Sequence, residues 1–249
     1  MPPAGARLLK GTRLEPLARR LWRLIGGRQV PEDRNARYNR LTLDVMRRVI
    51  TPTSDCVDVG CHTGLILREI VQLAPQGTHW AFEPLPDCAA GLRAEFPSVA
   101  IHEMALGDTD GTAEFRYVPA APENSSFMRR PYDPPVVDDY VPLTVKVGRL
   151  DDVLGPDARI DFLKVDVEGG ELAVFRGAHD TLRRSHPVVA FEMGWDPENV
   201  HEVLAAAGLR ISLLDAWLDG RPPLSRDEFL DESLSGRNYF FLAHPPATT

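Results

Sequence analysis

The sequence predicts an α/β fold: a mostly parallel, Rossmann-like sheet with helices on both faces, an antiparallel edge hairpin and an N-terminal helical cap. Three observations predict it. The run Cys56-Val57-Asp58-Val59 ends in a glycine turn and leads into an apolar-periodic segment from Leu65 to Leu73, which reads as strand, tight loop and helix. Short apolar runs then alternate with helix-length segments, which implies right-handed crossovers between parallel strands. Three of those runs end in an acid, at Glu83, Asp166 and Glu192, and open α/β sheets bind ligands beyond the carboxyl ends of their strands.

The turn from Gly60 to Gly64 limits what that edge can hold. A dinucleotide-binding turn has a middle glycine so that backbone can meet a pyrophosphate; here His62 stands at that position. Asp58, at the end of the strand, repels phosphate and attracts an ammonium. S-adenosylmethionine fits these constraints, with its sulfonium, amino-acid head and ribose and no phosphate.

Composition narrows the class. With 249 residues, 43% hydrophobic and 26% charged, the chain suits one large domain with appendages and can bury a sizeable core. A net charge of −8 argues against nucleic acid as the main partner. No run approaches the length of a membrane span and no secretory segment follows the start. Cys56, Cys61 and Cys88 form neither a disulfide framework nor a metal-binding pattern, so a reducing cytoplasm is expected. Charge is uneven: residues 1–48 carry twelve Lys or Arg against four Asp or Glu, leaving −16 for the remainder. The basic residues are nearly all Arg, with only Lys10, Lys146 and Lys164 besides, a bias that points to a GC-rich, bacterial genome.

Taken in order, residues 8–25 read as a basic amphipathic helix with Leu14, Leu17, Leu21 and Leu24 on one stripe. It suits either an anionic or lipid-linked surface or a cap packed on the domain, and the cap is the simpler reading. A second helix spans about Arg37 to Val49. After the opening unit come a strand at His79–Glu83, a helix at Asp87–Phe96 and a strand at Val99–Ala105. Glu83, followed by Pro84, stands where an acid can accept two hydrogen bonds from a ribose diol. Ala105-Leu106-Gly107-Asp108 and then Asp110-Gly111 signal a hairpin, and Glu114–Val118 and Val141–Val147 alternate like antiparallel strands. The irregular segment 119–140, with its arginines and aromatics, is expected to be a substrate-facing flap.

The run Ile160–Val167 predicts a buried central strand that delivers Asp166 to the sheet edge. One helix is expected after Glu168-Gly169-Gly170-Glu171, with Leu172, Phe175, Ala178 and Leu182 inward. A strand at Pro187–Met193 ends in Glu192. A helix capped by Asp196, with Pro197 in its first turn, runs to Ala207 before Gly208. Leu209–Asp215 and Asn238–His244 are expected to close the sheet as a hairpin, joined by a polar loop over Asp219–Gly236.

With these elements placed, the chain resembles the FkbM family of S-adenosylmethionine-dependent methyltransferases. The matching stretches are VDVGCHTG (57–64), AFEP (81–84), ALGDTDG (105–111), NSSF (124–127), FLKVDVEGGELAVFRGA (162–178) and VVAFEM (188–193). Together they cover roughly residues 54–195. Cys61-His62 departs from the family, which more often has Ala-Asn there. The resemblance implies a class I methyltransferase fold and methyl transfer to an oxygen, usually a hydroxyl on a sugar, glycolipid or polyketide. The expected division is a helical cap over 1–50 and a cofactor-binding domain over 51–249. The candidate cofactor residues are Asp58, Gly60, Cys61, His62, Gly64, Glu83, Pro84, Ala105 and Leu106.

A sugar hydroxyl is a poor acid, so a group within reach must take its proton as the new bond forms. Asp166, Glu168 and Glu192 are the candidates, and His62 is a fourth, since an imidazole can accept a proton near neutral pH. Asp166 and Glu192 are expected to end neighbouring strands and are candidate ligands for Mg²⁺. The expected partner is a small hydroxyl-bearing acceptor, preferably a carbohydrate; the oligomeric state is open and a homo-oligomer is admitted. Two other readings stand beside this one. A nicotinamide-dependent oxidoreductase would use the same sheet but lacks its middle glycine, and a non-catalytic module would leave buried acids without a role.

Overall fold

The computed structural model describes residues 33–127 and 138–246. By internal contacts the chain divides into a unit of residues 1–39, of which 33–39 are described, and a unit of residues 40–249. The basic helix expected at 8–25 lies outside the described residues, as do residues 128–137 of the flap expected at 119–140.

The larger unit is built on a seven-stranded sheet. Its strands are β1 (Cys56–Val59), β2 (His79–Phe82), β3 (Ala100–His102), β7 (Phe162–Val165), β8 (Val188–Glu192), β9 (Arg210–Ser212) and β10 (Phe240–His244), in the order β3-β2-β1-β7-β8-β10-β9. Neighbours from β3 to β8 are parallel, and β10 runs antiparallel between β8 and β9. The strand order reverses between β1 and β7, the topological switch at which such sheets open a crevice. The central strands β1 and β7 are buried along their whole length, as a helix-covered parallel sheet requires.

Described helices flank it: α1 (Arg34–Val49), α2 (Leu65–Leu73), α3 (Pro86–Glu95), α4 (Leu150–Leu154), α5 (Glu171–Gly177), α6 (His179–Ser185), α7 (Pro197–Ala206), α8 (Leu214–Leu218) and α9 (Arg226–Leu234). The main core gathers Val165, Phe175, Phe191 and Phe241 from sheet and helix around Leu182 and Leu204. Asp196 caps α7 as expected, its carboxylate accepting from the Asn199 amide.

Four expectations are corrected. The strand expected over Val99–Ala105 breaks after β3. Ala105-Leu106 (β4) leaves the large sheet and pairs in parallel with β6 (Val141–Gly148), which also pairs antiparallel with β5 (Gly111–Tyr117). This second sheet exists because Leu85, Ala105, Phe115 and Val145 bury a small core of their own. The single helix expected from Glu171 is two, α5 and α6. A Cβ on Gly177 would lie 1.9 Å from the Gly107 carbonyl oxygen, so backbone meets backbone there. Asp151 restarts the helix by accepting from the Asp180 and Thr181 amides. The strand expected at Leu209–Asp215 is only β9, because Leu214–Leu218 turns helical. Finally, the polar stretch 219–236 is not a loop: it holds α9, started by a capping box in which Ser225 and Glu228 bond each other's backbone amides.

Candidate active site

The carboxyl edge of the sheet is where the sequence delivers its acids. β1 ends at Gly60, whose positive φ of 77° turns the chain back at once. A Cβ there would lie 1.9 Å from the Asp166 carbonyl oxygen, so the β1 turn and the tip of β7 are pressed together. β2 delivers Glu83, which is 4% exposed. Its two carboxylate oxygens accept from the His62 amide (2.8 Å) and the Leu85 amide (2.9 Å). Glu83 therefore holds the glycine turn in place, and it also lines a cavity. Burial pushes its carboxyl above the ordinary glutamate range, opposed by those two amide bonds.

That cavity, about 70 Å³ in its enclosed part, is lined by Gly60, His62, Glu83 and Pro84 on one side. Ala105 and Leu106 bring the second sheet to it, and Asp166 and Glu168 come from the tip of β7. Eight of the predicted site residues thus meet in one space. Three do not. Asp58 is fully buried beneath the turn. Cys61 turns its thiol inward, toward the Asp58 and Phe82 carbonyls at 3.1 and 3.4 Å, and burial first of all raises it well above an ordinary thiol. Gly64 opens α2 against Leu92 and Phe96. The departure from the family at Cys61 is therefore structural, whereas the one at His62 reaches the cavity. Glu192 is outside this lining, yet Asp166, Glu168 and Glu192 each offer a carboxylate oxygen within 4.8 Å of the others. Ser125 and Phe127, described residues of the expected flap, also line the cavity.

Two residues of the site carry strain. His62 (φ 47°) and Glu168 (φ 57°) occupy positive-φ backbone that side chains disfavour.

Two residues central to the site went unassigned in the sequence. Lys164 pairs with Asp58 across β1 and β7, with Ala81 and Ala190 on either side of them in the same row. Those small neighbours leave room for the charged pair. Its ammonium, 6% exposed, donates to the Gly60 carbonyl at 2.7 Å and lies 3.6 Å from Asp58 and 3.5 Å from Asp166. Burial alone would lower its pKa, but Asp166 and then Asp58 more than reverse that and hold it charged. The signal was there: a lysine inside an apolar run must find a partner. Glu171 is the other. Fully buried, it accepts from the Gly169 amide (3.0 Å) and the Gly194 amide (3.2 Å), tying the loop after β7 to the loop after β8.

The family model described as "Methyltransferase FkbM domain" matches residues 58–211. Among curated proteins the chain is similar to "2-O-methyltransferase NoeI" of Sinorhizobium fredii (strain NBRC 101917 / NGR234), at 28% identity over 58% of this chain and 67% of that protein. It is also similar to "Methyltransferase sdnD" of Sordaria araneosa, at 30% identity over 60% of this chain and 70% of that protein. A crystal structure of a methyltransferase FkbM from Methylobacillus flagellatus KT aligns over 78% of this chain and 44% of that one, with 17% identity and a TM-score of 0.49. A match that takes in the glycine turn, the acidic tip of β7 and the strands between them places this chain in the FkbM methyltransferase family.

Proposed function

We propose that the protein is an S-adenosylmethionine-dependent O-methyltransferase whose acceptor is a hydroxyl of a saccharide or of a glycolipid or polysaccharide precursor. One observation carries the reading: Glu83, suited to a ribose diol, opens onto the same cavity as the carboxylates Asp166 and Glu168. The printed activity of the NoeI relative supports transfer to oxygen. No described helix is long and apolar enough to cross a membrane.

The residues present fit such a donor. Glu83 would hold the ribose, Phe82, Leu85 and Met104 offer apolar wall, and His62 stands where a diphosphate-binding turn has its middle glycine. When bound, the donor supplies a methyl already activated on a sulfonium, whose C–S electron pair stays on sulfur as the new C–O bond forms. The protein must then orient the acceptor, exclude water and take a proton. We assign proton acceptance to Glu168. Asp166 stays beside the Lys164 ammonium at 3.5 Å and serves as its fixed counter-charge. Glu192 completes the acidic cluster and His62 is the remaining candidate.

Three carboxylates within 4.8 Å are also a set of oxygens that Mg²⁺ would accept. That is the second reading, and undiminished activity in EDTA would remove it.

The test is an assay by mass for a methylated saccharide, across a panel of glycosides, together with titration calorimetry. Tight binding of S-adenosylhomocysteine without binding of NAD(P) is expected. Glu168→Gln should lower kcat by about 10²-fold or more while leaving cofactor affinity nearly unchanged. Binding of NAD(P) alone would overturn the proposal.

A further inference from the structure

A second cavity, of about 410 Å³, lies beside the first and shares Leu106, Phe127, Glu168 and Gly170 with it. Its volume falls in the range of about 300–1,000 Å³ usual for small-molecule sites. It is framed by the turn from β4 into β5, by α5 and by the loop after β8. We propose that this cavity is the acceptor subsite, that it takes a pyranose ring, and that Trp195 is the platform on which the ring stacks. The assignment rests on the methyl-transfer reading, because that reaction needs an acceptor hydroxyl next to the donor site and within reach of Glu168.

Three features of the cavity favour a sugar. Trp195 is a large hydrophobic side chain left 36% exposed, and its indole has no ring contact or hydrogen bond among the described residues. Such a surface suits the C–H face of a pyranose. The floor beneath it is apolar, from Leu172 and Ala173 of α5 and Val147 of β6. The rim is polar and exposed, with Thr109, Asp110 and Thr112 on one side and Arg176 on the other. The guanidinium of Arg176 has no carboxylate partner among the described residues, so it is available to a ligand. A ring with apolar faces and a hydroxylated edge matches that pattern, whereas an aliphatic alcohol would leave the rim groups unused. Glu168, the wall common to both cavities, then stands between donor and acceptor.

The test reads the indole N–H signals of ¹⁵N-labelled protein, with the Trp195 signal assigned by its loss in Trp195→Phe. The probes are methyl glycosides of a neutral hexose, an aminosugar and a hexuronic acid, with cyclohexanol as a ring that lacks the polyol edge. Each is titrated with and without S-adenosylhomocysteine. At least one glycoside should move the Trp195 signal while leaving those of Trp80 and Trp217 in place, and cyclohexanol should not. In turnover of the glycoside that is methylated, Trp195→Ala should raise KM about tenfold with the affinity for S-adenosylhomocysteine unchanged. No movement of Trp195 with any glycoside, or equal movement with cyclohexanol, overturns the subsite. If calorimetry shows no binding of S-adenosylhomocysteine, the proposed use of S-adenosylmethionine falls, while a glycoside-driven shift at Trp195 still upholds a sugar site.

Discussion

At the scale of single residues, the site depends on charges that water does not reach. Among the described residues Asp58 is ion-paired with Lys164, and Lys164 with both Asp58 and Asp166. Lys164→Met therefore leaves Asp58 buried without its counter-charge and is expected to destabilise the fold by about 3–5 kcal/mol. Adding Asp58→Asn should recover much of that loss, and a double-mutant cycle by denaturant unfolding measures it. Equal stability of the single and double variants would contradict the pairing. Glu83 predicts a split pH response. Its folded pKa is raised, so its share of stability is fully present below the ordinary glutamate pKa and is lost as pH rises through the folded value. Affinity for the nucleoside should change the other way, because the ionised carboxylate is the better acceptor for a diol. Calorimetry with S-adenosylhomocysteine across acid pH should show affinity rising with pH, and Glu83→Gln should flatten that rise.

At the scale of elements, what aligns the site is the tethering of loops rather than any one strand. Glu171 begins α5 yet serves two strand tips, since its oxygens take the Gly169 and Gly194 amides. Glu171→Ala removes that acceptor from both, at about 1–3 kcal/mol for each amide. Turnover should fall further than stability alone explains, because Glu168 directly precedes one tethered residue and Glu192 lies two before the other. Thermal melting alongside kcat checks this, and a variant that melts early but keeps full kcat would limit Glu171 to packing. The same scale shows what the sequence concealed. The 3.6-residue period through Leu172, Phe175, Ala178 and Leu182 is real, and Phe175, Ala178 and Leu182 are fully buried. It does not reveal that Gly177 must meet the Gly107 backbone and so interrupts the helix. α9 escaped because Phe229 is its one buried residue, leaving no stripe to read. Its capping box, Ser225 with Glu228, was the available sign.

At the scale of the whole molecule, a ligand that binds only the folded state stabilises it by mass action. S-adenosylhomocysteine at a hundred times its Kd should add about 2.7 kcal/mol, or a rise in Tm of roughly 5–10 °C for a domain of this size. NAD(P) should leave Tm unchanged, and the reverse order would undo the proposed function. The parallel part of the seven-stranded sheet was readable because β1, β2, β7 and β8 are short, mostly apolar runs that end at an acid or a glycine. Those ends mark the carboxyl edge whatever the details of packing. The second sheet was not, since the departure of Ala105-Leu106 from β3 depends on a distant core built by Leu85, Phe115 and Val145. For the same reason Glu83 and His62 could be assigned to the cavity from spacing alone. Asp58 could not be assigned beneath it, because only its partner across the sheet reveals that it faces Lys164.

The positive-φ backbone at His62 and Glu168 has a consequence for anyone wishing to make this enzyme hardier. Glycine would sit in either place at lower conformational cost. His62→Gly is therefore expected to tolerate more heat and to turn over more slowly, and heat tolerance obtained at these two positions would come at the expense of catalysis.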